Sequence, residues 1–319
     1  MLDSEITFLN HGSYGACPIP VFEDYQNWQK KLENQPVQFM TNYLWESLKK
    51  SREHLAEYIN CSSSDILLFP NPTTAINNLI NNLSLMEGDE VLMTQHEYGA
   101  LVRAWDYASK IKKFKVVQKD IGIPLDSKQN FIDQFLSGVN SKTKVIFISQ
   151  ITSQTALIFP VKEICEYAKR SGIITIIDGA HVPGHIKLDI KDIDCDYYTG
   201  ACHKWLCAPK GTSFLFVREN LQKNMIPQTV SWGAAGDDPG PSQFLMNFQW
   251  QGTRDMSAFL SIPAAIKFVK NDHWKNRQVL SRKIISEVSQ QLQLLFNTSP
   301  LSVGGEWIGQ MVSHPLPKN

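Results

Sequence analysis

Between residues 65 and 217 the sequence alternates short apolar runs with segments of helical periodicity, and this alternation constrains the fold more than any other feature. The apolar runs are rich in β-branched residues and lack polar alternation, as in strands that are buried on both faces. They lie at 65–70, 89–95, 114–118, 144–150, 173–178 and 212–217. Helical spacing lies between them at 72–86, 98–111 and 161–172. Strand–helix–strand repetition predicts an α/β fold with a mostly parallel sheet covered by helices.

The composition is that of a globular protein without a charged partner surface. The chain has 319 residues, of which 43% are hydrophobic, and it carries 31 basic and 31 acidic residues. This balance favours neither nucleic acid nor an anionic membrane as a partner, and no apolar run is long enough to span a membrane. Six cysteines are scattered along a chain that shows no secretion signal. We therefore expect reduced thiols and a cytoplasmic location.

Polar side chains follow several of the predicted strands. Asp178 ends one strand, and His96 directly follows another. Thr73 and Thr74 begin a helix after the first strand, and Lys204 lies just before the last strand. Ligands of open α/β sheets bind outside the carboxyl ends of the strands. We therefore expect these residues to meet in one site.

Each of these positions also has a purely structural interpretation. Asp178 precedes Gly179 and is either a turn or cap residue, or the partner of a protonated heterocyclic nitrogen. Thr73 and Thr74 either cap a helix or, with the free N–H groups of its first turn, bind an anion. Lys204 is either a solvated charge or a desolvated, nucleophilic amine that forms a Schiff base with a carbonyl cofactor.

Other cofactors fit the sequence less well than pyridoxal 5'-phosphate (PLP). Cys202, His203 and Cys207 are not spaced like a zinc site, so we predict no metal. No G-x-G-x-x-G motif follows a predicted strand, which argues against a nicotinamide cofactor. A Schiff-base lysine, an acid for a pyridinium nitrogen and a helix start for a phosphate are together the requirements of PLP.

Six motifs occur in order between residue 8 and about residue 270: "FLNHGSYGACP", "NPTTAINN", "HEYGA", "DGAHVPG", "TGACHKWLCAPKG" and "WQGTRD". In this combination the sequence resembles the class V aminotransferase family of fold-type I PLP enzymes. Within that family it is most similar to the isopenicillin N epimerase-like and cysteine desulfurase-like branch. The resemblance implies a large PLP-binding domain with a parallel sheet and helices on both faces, followed by a smaller C-terminal domain.

The resemblance also implies a role for the residues around the cofactor ring. Lys204 would form the internal aldimine, and Asp178 would pair with the pyridine nitrogen. His181 would lie against the phenolic oxygen. His96 would stack on the ring, with Tyr98 as the alternative.

Further matching residues would bind the phosphate and the substrate. Thr73, Thr74 and His203 resemble the phosphate-binding residues. Thr253 resembles a threonine that reaches the phosphate of the neighbouring subunit, which implies a homodimer with shared active sites; alternatively it is a turn residue. The N-terminal loop on the substrate side would contribute Asn10, His11 and Tyr14, of which the last two have loop ordering as an alternative role.

The sequence departs from the family pattern at two places. Ala201 stands where the cysteine desulfurase pattern has a serine, which removes one phosphate donor. Family members also continue past the end of this sequence with a segment that supplies an arginine for the substrate carboxylate. No arginine follows Arg282, and no cysteine follows Cys207. We therefore expect a truncated C-terminal domain, no desulfurase persulfide chemistry, and Arg254 as the replacement carboxylate anchor.

The function implied is that of a PLP-dependent enzyme in which Lys204 removes the α-proton of an amino acid. The favoured reactions are epimerisation and C–S bond cleavage. The alternatives are transamination, or PLP binding with little or no turnover because a carboxylate anchor is missing. We expect three segments: a substrate-side segment at 1–30, a PLP-binding domain at 31–256, and a partial small domain at 257–319.

Overall fold

A computed structural model describes residues 1–234 and 242–317 of the chain. Its seven strands are β1 Ile66–Phe69, β2 Glu90–Thr94, β3 Lys115–Lys119, β4 Thr143–Ser149, β5 Ile174–Asp178, β6 Tyr197–Ala201 and β7 Ser213–Val217. Its first helices are α1 His11–Tyr14, α2 Ile19–Asn34, α3 Pro36–Gln38, α4 Leu44–Ile59, α5 Pro72–Asn82, α6 Gly99–Lys112 and α7 Lys128–Leu136. They are followed by α8 Val161–Arg170, α9 Ile190–Ile193, α10 Gln243–Gln249, α11 Ser257–Leu260, α12 Ile262–Val269 and α13 Asp272–Phe296.

The strands form one mostly parallel sheet in the order β1-β7-β6-β5-β4-β2-β3. Strand β7 is antiparallel to both of its neighbours, whereas β6, β5, β4, β2 and β3 pair in parallel. Successive residues of a strand point to opposite faces, so β4 directs Ile146 and Ile148 into one buried cluster and Val145 and Phe147 into another. The predicted α/β class and mostly parallel sheet are confirmed.

Helices cover both faces of the sheet, as predicted. One cluster packs the strands against α4, α7, α8 and α12, and the other packs them against α5, α6 and α10. The apolar face of each helix lies at helical spacing, which in α5 places Ala75, Ile76 and Leu79 against the sheet. Because helices cover both faces of the sheet, the polar side chains at the strand ends remain accessible at its edge.

Strand β6 was not among the predicted strands. It contains Tyr198, Thr199 and Gly200, which do not form the aliphatic run that identified the other strands. All five of its residues are nevertheless buried, because it lies inside the sheet between β5 and β7. Thr199 Oγ1 donates to the Phe214 carbonyl at 2.8 Å, which satisfies its hydroxyl. The lysine loop therefore connects β6 to β7.

Segments near both ends of the described chain pack against the sheet domain. Helices α11 and α12 contact α2 and α4. Trp307 is fully buried, and its ring lies 6.1 Å from that of Phe131. The division into segments at 1–30, 31–256 and 257–319 stays a prediction. Among the helices described at 1–234 and 242–317, none has the length and apolarity to cross a membrane.

Candidate active site

The loops after β4, β5 and β6 surround a cavity of about 120 Å³ together with the start of α5 and the N-terminal segment. Six of the residues predicted to form the site line this cavity: Tyr14, Thr73, Asp178, His181, His203 and Lys204. Six others that were predicted do not line it: Asn10, His11, Thr74, His96, Thr253 and Arg254. The sheet topology therefore brings together the main residues inferred from the sequence.

Lys204 lies in a loop whose backbone turns back on itself. The backbone N–H groups of Cys202 and His203 both donate to the Thr212 carbonyl, at 3.0 and 3.3 Å. The N-terminal segment crosses directly over this loop at Gly15, whose φ is +70°. A Cβ atom on Gly15 would lie 1.9 Å from the His203 carbonyl oxygen, so the crossing requires glycine. The loop and the N-terminal segment together hold the lysine backbone.

The side chain of Lys204 points into the cavity beside two buried titratable groups. Its Nζ lies 3.0 Å from His181 Nε2. Burial lowers the pKa of Lys204, while the nearby Asp178 carboxylate opposes this shift. The lysine is therefore more readily available as a free amine than a solvated lysine is.

Asp178 ends β5 and is 3% exposed. Burial raises the pKa of its carboxyl group, and the Ala180 N–H and Lys204 oppose the shift. The Ala180 N–H donates to Oδ1 at 2.9 Å. Within residues 1–234 and 242–317, Oδ2 accepts no hydrogen bond. A buried carboxylate with a free oxygen fits a cationic N–H donor in the cavity.

Helix α5 begins at the cavity with Asn71 as its N-cap. Asn71 Oδ1 accepts from the Thr74 backbone N–H at 2.8 Å and from Thr74 Oγ1 at 3.0 Å. Thr74 is therefore part of the cap and does not line the cavity, so its role at the phosphate stays a prediction. Thr73 does line the cavity. His203 also lines the cavity, and its Nδ1 donates to the Thr212 carbonyl at 3.0 Å, a bond in which Nε2 takes no part.

Tyr98, and not His96, lies at the cavity. The His96 ring is buried away from it, with Nε2 3.1 Å from the Ile121 carbonyl and the ring edge-on to Phe159 at 6.0 Å. The prediction of His96 as the stacking residue is therefore not supported by its position. The chain turns between β2 and α6, so Tyr98 at the helix N-cap is the residue that faces the ligand space.

Glu97, between these two residues, is a buried acid that the sequence did not reveal. It is 2% exposed, and Thr94 Oγ1 donates to its Oε1 at 2.6 Å. Ser149, which lines the cavity, donates to Oε2 from both its backbone and its hydroxyl. Burial and, to a smaller extent, the nearby Asp178 raise the pKa of Glu97 to about 7, against the opposing effect of its hydrogen bonds. Ser13, Asn71, Ile151 and Ser153 are other cavity residues that the sequence analysis did not name.

The N-terminal segment places one of its predicted substrate-side residues, Tyr14, at the cavity, and another, His11, against the lysine loop. Tyr14 lines the cavity and is largely exposed. His11 lies behind the lysine loop, where its Nε2 is 3.1 Å from the Lys204 carbonyl oxygen. Asn10 is exposed and accepts from Ser13 Oγ at 2.8 Å. This contact agrees with the alternative interpretation, in which His11 orders the loop, and its role toward a substrate stays a prediction.

Thr253 and Arg254 lie outside the cavity of their own chain. Thr253 is exposed, and the Arg254 guanidinium packs over the Phe259 ring at 4.9 Å. Arg254 Nε is buried without a hydrogen-bond partner within the described residues. Arg254 therefore does not line the cavity into which Lys204 points.

A larger cleft of about 970 Å³ opens next to the cavity, beside α2. Its walls are mostly apolar and include Phe22, Phe268 and Trp274. Neither Lys204 nor Asp178 lines it. The reactive groups are confined to the smaller cavity.

Comparison with known proteins identifies the family and the fold of the chain. The family model of class-V aminotransferases matches residues 16–302. The chain is 33% identical to isopenicillin N epimerase of Amycolatopsis lactamdurans over 279 residues, which are 84% of this chain and 70% of that protein. It is 28% identical to L-cysteine desulfhydrase of Arabidopsis thaliana, over 82% of this chain and 60% of that protein. The fold resembles the cystine C–S lyase C-DES in complex with cysteine persulfide, with a TM-score of 0.80, 20% identity, and coverage of 93% and 80% of the two chains.

A half-buried lysine beside a buried strand-end acid, at the edge of a mostly parallel sheet, is typical of the class of PLP-dependent enzymes. The chain belongs to the class-V aminotransferase family. Its cofactor is pyridoxal 5'-phosphate. The cavity fits this cofactor, because it offers an amine at Lys204, a free oxygen on buried Asp178, and a helix start beside Thr73.

Proposed function

We propose that the protein removes the α-proton of an amino acid and that Lys204 Nζ is the base. The observation that carries this proposal is the position of Lys204 Nζ, which lies in the cavity 3.0 Å from His181 and near the buried Asp178. When bound, PLP supplies an aldehyde for the amine and a ring that withdraws electrons from the reacting carbon. The remaining chemistry belongs to residues of this chain.

Five of the cavity residues are assigned to binding the cofactor. Asp178 would hold the ring nitrogen in its protonated form, because its buried carboxylate keeps Oδ2 free for a cationic N–H donor. Thr73, the first turn of α5 and His203 would bind the phosphate. Tyr98 would lie on the ring face in place of His96, and His181 would bind the edge of the ring. These assignments follow from which side chains line the cavity.

Lys204 would accept the α-proton at Nζ. Burial lowers its pKa, which increases the fraction of free amine near neutral pH. Tyr14 and Ser13 line the side of the cavity that is formed by the N-terminal segment, and they would orient the substrate. The crossing at Gly15 holds this segment against the lysine loop.

We infer that a homodimer completes the site. Thr253 and Arg254 lie away from the cavity of their own chain, so a second subunit would have to bring them to it. The unpartnered Arg254 Nε agrees with a contact that a single chain does not provide. In such a dimer Thr253 would reach the phosphate, and Arg254 would bind the substrate carboxylate in bidentate fashion. A cytoplasmic location agrees with six free thiols.

Two outcomes of α-proton removal are proposed, epimerisation and C–S bond cleavage. Epimerisation is supported by the 33% identity with an isopenicillin N epimerase. C–S cleavage is supported by the relatives that are L-cysteine desulfhydrases. Both begin with the same proton transfer to Lys204, so a single experiment tests the shared step and then separates the outcomes.

The test is incubation of the PLP-loaded protein in D₂O with L-cysteine, L-cystine, isopenicillin N and L-alanine, followed by NMR. With the wild type we expect deuterium at Cα of one of them, or its conversion to pyruvate that carries deuterium at the methyl carbon, and neither with Lys204→Ala. Lys187→Ala is the matched control, because that lysine side chain is 88% exposed. Pyruvate with sulfide or persulfide identifies a lyase, and inversion at Cα identifies an epimerase. An oxo acid with aminated cofactor indicates a transaminase instead, and absence of both exchange and product with all four compounds contradicts the proposal in favour of PLP binding without turnover.

A further inference from the structure

Backbone N–H donors determine the tautomers of two histidines around the lysine loop, the half-buried His11 and the buried His185. A neutral imidazole has one donor nitrogen and one acceptor nitrogen. The Ala16 N–H donates to His11 Nδ1 at 3.3 Å, so His11 Nε2 carries the proton that it donates to the Lys204 carbonyl. The Gln310 N–H donates to His185 Nε2 at 2.5 Å, so His185 Nδ1 donates to the His181 carbonyl at 3.0 Å.

His181 has its tautomer determined by a side chain instead. Trp205 Nε1–H lies 3.4 Å from His181 Nδ1, and an indole N–H can only donate. His181 Nδ1 is therefore the acceptor. Burial and the charge of Lys204 hold the pKa of His181 well below its usual value, so the ring is neutral and its proton lies on Nε2.

The proton on His181 Nε2 points at the lysine. Nε2 lies 3.0 Å from Lys204 Nζ. An ammonium group has no lone pair and cannot accept a hydrogen bond, whereas a neutral amine can. The Nε2–H tautomer therefore favours the neutral amine of Lys204. The opposite tautomer would place an acceptor at Nε2 and would favour the ammonium form.

Trp205 is held in place by rings and by close backbone contacts. The His185 ring lies 4.2 Å from the Trp205 ring on one side, and the His11 ring lies 5.2 Å away. A Cβ atom on Gly184 would lie 2.2 Å from the Trp205 carbonyl oxygen, and one on Gly12 would lie 3.2 Å from the Trp205 ring. The indole N–H therefore has little freedom to leave His181.

We propose that Trp205 is a positioning residue, which fixes the Nε2–H tautomer of His181 and thereby keeps Lys204 as a neutral amine whenever that amine is free. The proposal rests on the proposed function for the role of Lys204, whereas the tautomer is a property of the protein alone. The titratable groups that face Lys204 in the cavity are Asp178, His181, His203, Tyr14 and Tyr98. Of these, an ionised Asp178 acts in the opposite direction and favours the ammonium form.

The first test is ¹⁵N–¹H correlation NMR of the full chain, labelled on histidine and freed of PLP, at neutral pH. The chain has eight histidines, and the His181→Gln spectrum identifies the signal of His181. We expect a neutral ring with its proton on Nε2. A proton on Nδ1 would overturn the proposal, and this measurement needs no variant of Trp205.

The second test compares Trp205→Phe with Trp232→Phe, in which the same change is made at a tryptophan that is 86% exposed. The readout is the pH dependence of Lys204 acylation in the PLP-free chain, followed by mass spectrometry. Loss of the indole donor lets His181 adopt the other tautomer, so the pKa of Lys204 should rise by about one unit in Trp205→Phe, an amount typical of one hydrogen bond to a charged group. Trp232→Phe should match the wild type.

The outcomes separate this proposal from the proposed function. A folded Trp205→Phe protein with an unchanged tautomer and an unchanged Lys204 profile would contradict the role of Trp205. If Trp205→Phe does not fold, the position of the His181 proton in the wild type tests the proposal, and a proton on Nδ1 contradicts it. An Nε2–H tautomer without any deuterium exchange at substrate Cα would leave the tautomer assignment intact and contradict the α-proton chemistry alone.

Discussion

Ser149 donates two hydrogen bonds to one oxygen of Glu97, from its backbone N–H at 2.8 Å and from its hydroxyl at 2.5 Å. Because the hydroxyl proton is donated to Glu97, Ser149 Oγ has no other proton to donate to a ligand in the cavity that it lines. Glu97 thus makes Ser149 an acceptor toward a bound ligand. The same acid has a pKa raised to about 7 by burial, so it titrates near neutral pH.

Glu97→Gln should change how stability depends on pH. A carboxyl group whose folded pKa is above its unfolded value binds its proton more tightly in the folded state, so stability falls as pH rises between the two values. The interval runs from 4.5 to about 7. We expect the stability of Glu97→Gln relative to wild type to increase by about 3 kcal/mol from the acid to the alkaline side of it. Urea unfolding measures this, with the exposed Glu287→Gln as control.

An unchanged stability difference between Glu97→Gln and wild type across that interval would show that Glu97 does not titrate there. The comparison is informative because glutamine preserves the shape of the side chain. It also keeps an oxygen that can accept the two hydrogen bonds from Ser149.

Tyr98→Ala should weaken PLP binding, whereas His96→Ala should not. Tyr98 lines the cavity, and an aromatic contact with the cofactor ring contributes about 0.5–1.5 kcal/mol, or roughly two- to tenfold in affinity. His96 is turned toward Phe159, so its loss should lower stability and leave the affinity unchanged. Titration of the PLP-free chain with PLP, followed by absorbance, measures both. A larger loss of affinity for His96→Ala than for Tyr98→Ala would restore His96 as the stacking residue.

PLP binding should take up a proton at His203. His203 Nδ1 donates to the Thr212 carbonyl, so Nε2 can donate to a phosphate only when the ring is protonated. Burial lowers the pKa of His203 in the free protein, and a bound phosphate would raise it. Affinity should therefore fall as pH rises from the lowered to the raised value, by up to about tenfold per pH unit.

The control for this proton uptake is His203→Asn, which keeps a donor near the Thr212 carbonyl and lacks Nε2. Its PLP affinity should be weaker than that of the wild type and should lose that component of the pH dependence. PLP affinity is measured by titration at several pH values. If it falls equally steeply with pH in wild type and in His203→Asn, the proton is taken up at another residue.

Mixing two inactive variants should restore activity if the site is shared between subunits. Lys204→Ala removes the base of its own site, and Arg254→Ala removes the carboxylate anchor that it would lend to its partner. In a mixed dimer one site receives both intact residues, so random mixing should recover about a quarter of the wild-type turnover. Sedimentation of each variant verifies the dimer. If stable mixed dimers form and turnover is not recovered, Arg254 does not act across the interface.

The sequence by itself determined the architecture and the main reactive residues. Six of the seven strands are visible as aliphatic runs, because a strand buried on both faces needs apolar residues at every position. Lys204 and Asp178 follow from their places at strand ends, since parallel strands align these ends at one edge of the sheet. These features depend on local patterns and on a topology that such patterns imply.

Only the tertiary structure decided which neighbouring side chains face the cavity and which charges are buried. His96 and Tyr98 lie two residues apart in a turn, and the backbone path after β2 sends one to the core and the other to the ligand space. Strand β6 is polar in part, and it is a strand because its neighbours satisfy its hydrogen bonds. In the sequence, nothing distinguishes Glu97 from an ordinary surface acid, or Trp205 from any other aromatic residue in a loop. Their hydrogen bonds to Ser149 and His181 join residues that are far apart in the sequence, so no local pattern could predict them.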